Sequence, residues 1–93
     1  MTKYTVLWDA DLERDFINSW VRSDSRTRTV LTEIANRVDA LLSVSPQSKG
    51  IKEAESMRLL DLSTAAAKVS VAYQVLEKDR QVRVIRLTFR TSE

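Results

Sequence analysis

The chain has 93 residues, of which 43% are hydrophobic and 30% charged, and its net charge is +2. That length carries one modest core, so a single domain over residues 1–93 is expected. Cysteine and histidine are both absent, which excludes disulfides, thiolate chemistry and the side chain most used as a neutral-pH base or transition-metal ligand. Gly50 and Pro46 are the only glycine and proline, so a glycine-rich phosphate loop is excluded and no cofactor or metal is expected.

Tyr4 to Trp8, "YTVLW", is short, β-branched and aromatic, and reads as a strand. Asp9 follows at a helix N-cap position, with Asp11 and Glu13 in the first turn, where acids suit the positive end of the helix. Leu12, Phe16, Ile17, Trp20 and Val21 recur at helical spacing, which predicts an amphipathic helix over 9–22. After the polar break 22–26, a second helix capped by Asp24 or Ser25 carries the stripe Val30, Leu31, Ile34, Ala35, Val38, Leu41 and Leu42. The short connection predicts an antiparallel helix pair.

The loop 43–50 holds Pro46 and Gly50, and residues 51–55 read as its continuation. Residues 56–62 read as a strand and 63–68 as a connector. Two alternating arms, 69–77 and 81–89, then join through "KDR". The order is β-α-α-β-β-β, an α+β fold with two antiparallel helices packed on a twisted, mainly antiparallel four-stranded sheet. No apolar run has the length of a bilayer span and no signal-peptide core is seen, so a cytoplasmic protein with no membrane contact is expected.

Strand alternation assigns sides to the arms. Val69, Val71, Tyr73 and Val75 form the stronger apolar row of the first arm and are expected in the core; Ser70, Ala72, Gln74 and Leu76 then face away from the helices. In the second arm Arg83, Ile85, Leu87 and Phe89 are expected inside, and Val82, Val84, Arg86, Thr88 and Arg90 outside. With Arg58 placed on the same outer side, the open face carries three arginines and no acid. Such a face is either the ordinary solvated side of an antiparallel sheet or a surface for anions, since guanidinium forks suit phosphates and carboxylates alike. Arg58, Gln74, Arg86, Thr88 and Arg90 are the candidate target- or nucleic-acid-binding residues. Trp8 and Trp20 read as packing residues, and Asp9, Asp11 and Asp15 as capping and helix-dipole partners rather than a metal cluster.

The element order, the opening "YTVLWDADLERDFINSW", the loop "SPQSKG" and the strands "VSVAYQV" and "VRVIRL" together resemble the RelE/ParE superfamily of toxins from type II toxin–antitoxin (plasmid stabilisation) modules. The resemblance implies a toxin that inhibits growth and is neutralised by a cognate antitoxin. Its target is either DNA gyrase, as in the ParE-like branch, or messenger RNA cut in the ribosome, as in RelE-like endoribonucleases. The nuclease pattern is met incompletely: Arg58 and Arg90 match basic positions, but Ser70 stands where an arginine is expected, Leu60 occupies another basic place, and the sequence ends at Glu93 without the helix that carries the catalytic tyrosine. No residue is assigned a catalytic role with assurance, and the resemblance favours the ParE-like branch, with a degraded nuclease or a non-toxic antitoxin binder as the alternatives. Val82, Val84 and Leu76 on the open face call for a cover, supplied by the antitoxin or by a homodimer.

Overall fold

Apolar alternation builds one sheet, and two amphipathic helices cover one side of it. In the computed structural model, which describes residues 3–91, strands β1 (Thr5–Trp8), β2 (Ile51–Lys52), β3 (Met57–Ser63), β4 (Ala67–Leu76) and β5 (Gln81–Thr91) lie in the order β1-β5-β4-β3-β2. Helices α1 (Ala10–Arg22) and α2 (Ser25–Leu42) connect β1 to the rest. The sheet has five strands rather than four, because the ambiguous stretch at Ile51 pairs with Leu59 as a two-residue edge strand. It is mixed, because the two helices carry the chain back across the sheet and β1 pairs parallel with β5. β4 also starts earlier than predicted, at Ala67, since Thr64 and Ala67 close a tight turn.

The core is a two-layer contact. Ile34, Val38 and Leu42 of α2 meet Val69, Val71 and Tyr73 of β4 and Val82 and Val84 of β5, all buried. Asp24 caps α2, its carboxylate accepting from the Thr27 amide at 2.8 Å; that hydrogen bond holds the Asp24 carboxyl below its ordinary range. α1 packs less deeply. Leu12 reaches the core margin and Phe16 meets Trp8 edge-on at 5.2 Å, but Ile17 and Val21 stay 53% and 58% exposed. Trp20 packs between the helices rather than on the sheet: its indole donates to Thr32 (3.1 Å) and Arg28 stacks on its ring. Arg28 also donates to the Trp20 and Val21 carbonyls, satisfying the C-terminal end of α1. No described helix is long and apolar enough to cross a membrane.

The face assignment of β5 is corrected by a bulge. Tyr73 pairs with Val84 and Ala72 with Arg86, so Ile85 is an extra residue without a partner on β4. A one-residue insertion shifts the side-chain phase of everything beyond it. Val82 and Val84, expected outside, are therefore buried in the core, while Ile85 is exposed and Arg83 turns outward. Beyond the bulge the expected phase returns, and Leu87 and Phe89 lie opposite Val71 and Val69 on the helix side. Phe89 is nevertheless 39% exposed, because it lies near the end of β5.

Gly50 takes φ +67°, and a Cβ there would lie 2.4 Å from the Leu59 carbonyl oxygen, a backbone atom that cannot swing aside. Gly50→Ala is expected to destabilise the protein by at least about 1–3 kcal/mol, read as a lower urea midpoint with an unchanged slope; a wild-type midpoint would show that the β2–β3 contact relaxes freely.

Candidate target-binding face

The register of β3, β4 and β5 fixes which side chains share the face that the helices leave open. Ser70 pairs with Asp61 on one side and Thr88 on the other; Lys68 pairs with Ser63 and Arg90; Gln74 pairs with Met57 and Arg83; Ala72 pairs with Leu59 and Arg86. All point away from the helices, since their odd-numbered neighbours on β4 are the core residues Val69, Val71 and Tyr73. Arg83, Arg86 and Arg90 thus form a row along β5, exposed throughout, with Lys68 beside its far end. Asp61, Ser63, Lys68, Ser70, Thr88 and Arg90 line an open concavity of about 520 Å³.

The charge in this row is uncompensated. Lys68 and Arg90 are direct cross-strand partners, an arrangement that typically costs a few tenths to about 1 kcal/mol for like charges. Among the described residues the ion pairs are those of Arg14 with Asp11 (3.2 Å) and Asp15 (3.9 Å), far from the sheet's open face. Asp61 is the one carboxylate in the concavity, and it accepts a 2.6 Å hydrogen bond from the Ser70 hydroxyl. An anion placed there would relieve the Lys68–Arg90 repulsion and meet guanidinium, ammonium and hydroxyl donors together.

Four predicted site residues, Gln74, Arg86, Thr88 and Arg90, lie on the open face as expected. The Gln74 amide donates to the Ser56 hydroxyl (3.1 Å), which ties it to the edge of β3. Arg58 does not lie on that face. It pairs with Tyr73 on the helix side of the sheet, where Nε donates to the Lys49 carbonyl at 2.6 Å and a terminal nitrogen to the Gly50 carbonyl at 3.2 Å. Strand parity alone left its side open; the pairing with the buried Tyr73 decides it. Arg58 is thus a clamp on the loop before β2. Sequence reasoning missed Lys68, Arg83 and Asp61. Lys68 sat in the predicted connector, Arg83 was put in the core by unbroken alternation, and Asp61 followed the misplacement of Arg58. The adjacent apolar pair Val84–Ile85, where strict alternation allows one, was the available signal for the bulge.

Tyr73 is structural. Its hydroxyl lies 2.9 Å from the Pro46 carbonyl and 2.7 Å from the Lys49 carbonyl, so its single proton is directed at the loop and away from the open face. Burial raises its pKa above the ordinary 10.0, against a smaller opposite effect of Arg58.

No family model matches the sequence, and no curated protein does either. Solved structures do match. A RelBE toxin–antitoxin complex from Mycobacterium tuberculosis aligns at 18% identity with a TM-score of 0.64, covering 97% of this chain and 94% of that one. The fold is that of the RelE toxins. A doubly substituted E. coli RelE in the free state aligns at 17% identity and TM-score 0.60 over 92% of this chain and 82% of that one. The intact E. coli RelBE complex aligns at 19% identity and TM-score 0.57, covering 90% and 93%. In this chain the two helices cover one sheet face, and the arginine row lies on the other.

Tyr73→Phe is expected to cost about 1–3 kcal/mol, the loss of a buried hydroxyl donor, and to leave the arginine row in place. Because the folded-state pKa is raised, Tyr73 contributes stability that is complete below pH 10 and is lost as pH rises through the folded value. Chemical denaturation from neutral pH to above pH 10 checks this: wild type should lose stability in the alkaline range, and the Phe variant should lack that component of the loss.

Proposed function

We propose that the chain is the toxin component of a type II toxin–antitoxin module, neutralised in the cytoplasm by a cognate antitoxin. It acts by binding a macromolecular target on the open sheet face. The observation that carries this reading is the row Arg83, Arg86 and Arg90 with Lys68 at its end, exposed and without an ion-pair partner among the described residues. Clustered cations that repel one another persist where a polyanion or an acidic protein surface offsets them. The fold likeness to RelE proteins, which are bound to an antitoxin in two of the compared structures and free in the third, supports the module assignment. The row also lacks an imidazole or an outward tyrosine to move protons, which supports target binding of the gyrase-poisoning kind over cleavage.

One observation favours a second reading, a ribosome-dependent mRNA endoribonuclease. Asp61 places a carboxylate, hydrogen-bonded to Ser70, in the same concavity as Lys68 and Arg90. A base beside cations able to stabilise a phosphorane is the minimum that 2′-hydroxyl attack on a phosphodiester requires.

Induced expression of the chain alone is expected to arrest growth, and co-expression of the neighbouring gene's product to relieve it. Absence of arrest at every expression level would leave only a non-toxic antitoxin binder. Arg86→Ala combined with Arg90→Ala is expected to abolish arrest while unfolding stability stays within about 0.5 kcal/mol of wild type, as for exposed positions. During arrest, accumulation of cleaved gyrase–DNA complexes supports the first reading. Cleavage of messenger RNA that Asp61→Asn abolishes supports the second.

A further inference from the structure

The outer edge of β1 is unpaired over a short, well-defined span. In the parallel ladder to β5 the amides of Thr5 and Asp9 donate to the Arg80 and Val84 carbonyls, both at 2.9 Å. Alternation then directs the backbone groups of Val6 and Trp8 away from β5. β1 is the terminal strand of the sheet. The Tyr4 amide on the same edge is already taken by the Ser43 carbonyl at 2.8 Å, and Lys3 bridges Val44; beyond Trp8 the chain turns into α1. Only Val6 and Trp8 are left to accept a new strand. Beside this edge runs a groove of about 470 Å³ between β1 and the helices, whose apolar walls include Phe16, Ile17 and Ala35. Leu7, at the centre of the span, is 42% exposed.

We propose that this edge is the interface of a symmetric dimer, in which β1 pairs antiparallel with β1 of a second copy. Three properties of the edge select that occupant. First, antiparallel pairing bonds outward-facing residues to outward-facing residues. A two-fold axis at Leu7 sets Val6 against Trp8 of the other copy twice over and uses every backbone group the edge leaves open. An axis at Val6 would drive Trp8 against the occupied Tyr4 position, and one at Trp8 would set Val6 against the helix. Second, the same axis stacks the exposed Leu7 on its own copy, and it brings the α1 helices to one side of the joined sheets, where Ile17 and Val21 are exposed. Third, it carries Lys3 of each copy toward the acidic start of α1 in the other, where Asp9 and Asp11 lie, a self-complementary pattern of the kind an isologous interface needs. The result is a continuous ten-stranded sheet with both arginine rows on one side. This inference does not depend on the toxin reading.

Sedimentation of the purified full chain across the micromolar range tests it. Wild type is expected to show twice the mass of one chain. Val6→Pro removes an amide that β1 does not use in its own ladder, a place where an edge strand tolerates proline, and should halve the mass while the circular-dichroism spectrum is retained. Leu7→Lys sets two ammonium groups on the axis and should do the same, deciding the matter if the proline variant fails to fold. A wild-type monomer at all concentrations overturns the proposal, as does a dimer that survives Leu7→Lys.

Discussion

The β-bulge at Ile85 is the constraint from which the rest of the molecule follows. β5 sets two apolar pairs on the helix side, Val82 with Val84 fully buried and Leu87 with Phe89 partly covered, yet these pairs are out of phase with one another along the chain. A regular strand would bury one pair and expose the other. The extra residue resolves the conflict by letting the strand change phase between them, and the exposed Ile85 is its cost. The same phase change turns Arg83 to the side already occupied by Arg86 and Arg90. A packing requirement in the core thus assembles the charged row on the opposite face.

The opposite end of the sheet is held by polar contacts. Tyr73 reaches from the central strand to the Pro46 and Lys49 carbonyls, and Arg58 grips the Lys49 and Gly50 carbonyls from the neighbouring strand. Gly50 makes the close approach to Leu59 sterically feasible. These three residues fix a loop that has little apolar surface of its own, and they explain why a buried tyrosine and a cation lie side by side on the helix side of the sheet. A tyrosine beside an arginine invites a catalytic interpretation. Their partners here are backbone carbonyls.

What distinguishes the open face is where its charge sits. A net charge of +2 over the whole chain says little. Concentrated along β5 and at Lys68 near the start of β4, beside a single carboxylate engaged by Ser70, the same charges make a surface whose internal repulsion favours an anionic partner. The comparison with RelE structures supplies the fold on which such a surface is presented; at 17–19% identity it supplies no residue roles, and the reading of the face rests on its own geometry.

Much was legible in the sequence because the relevant physics is local. Helical spacing gave both helices, alternation gave β4 and its core row, Asp24 marked the start of α2, and Gly50 marked the strained loop. Arg86, Thr88 and Arg90 were placed correctly because they lie beyond the bulge, where the assumed phase holds. Arg83, Val82 and Val84 were misplaced because a bulge is decided by whether a strand can satisfy its neighbour's pairing and the core at once, and the adjacent apolar pair Val84–Ile85 signals a break in alternation without saying which side each residue takes. Arg58 was misplaced for a related reason: a short strand with leucines on both sides has no parity of its own until Tyr73 is set opposite. The sequence by itself determined both helices, four of the five strands, their order and the chemistry available to them. Only the tertiary structure decided the strand phases, and with them which cations face solvent together, because register is set by burial across strands distant in the chain.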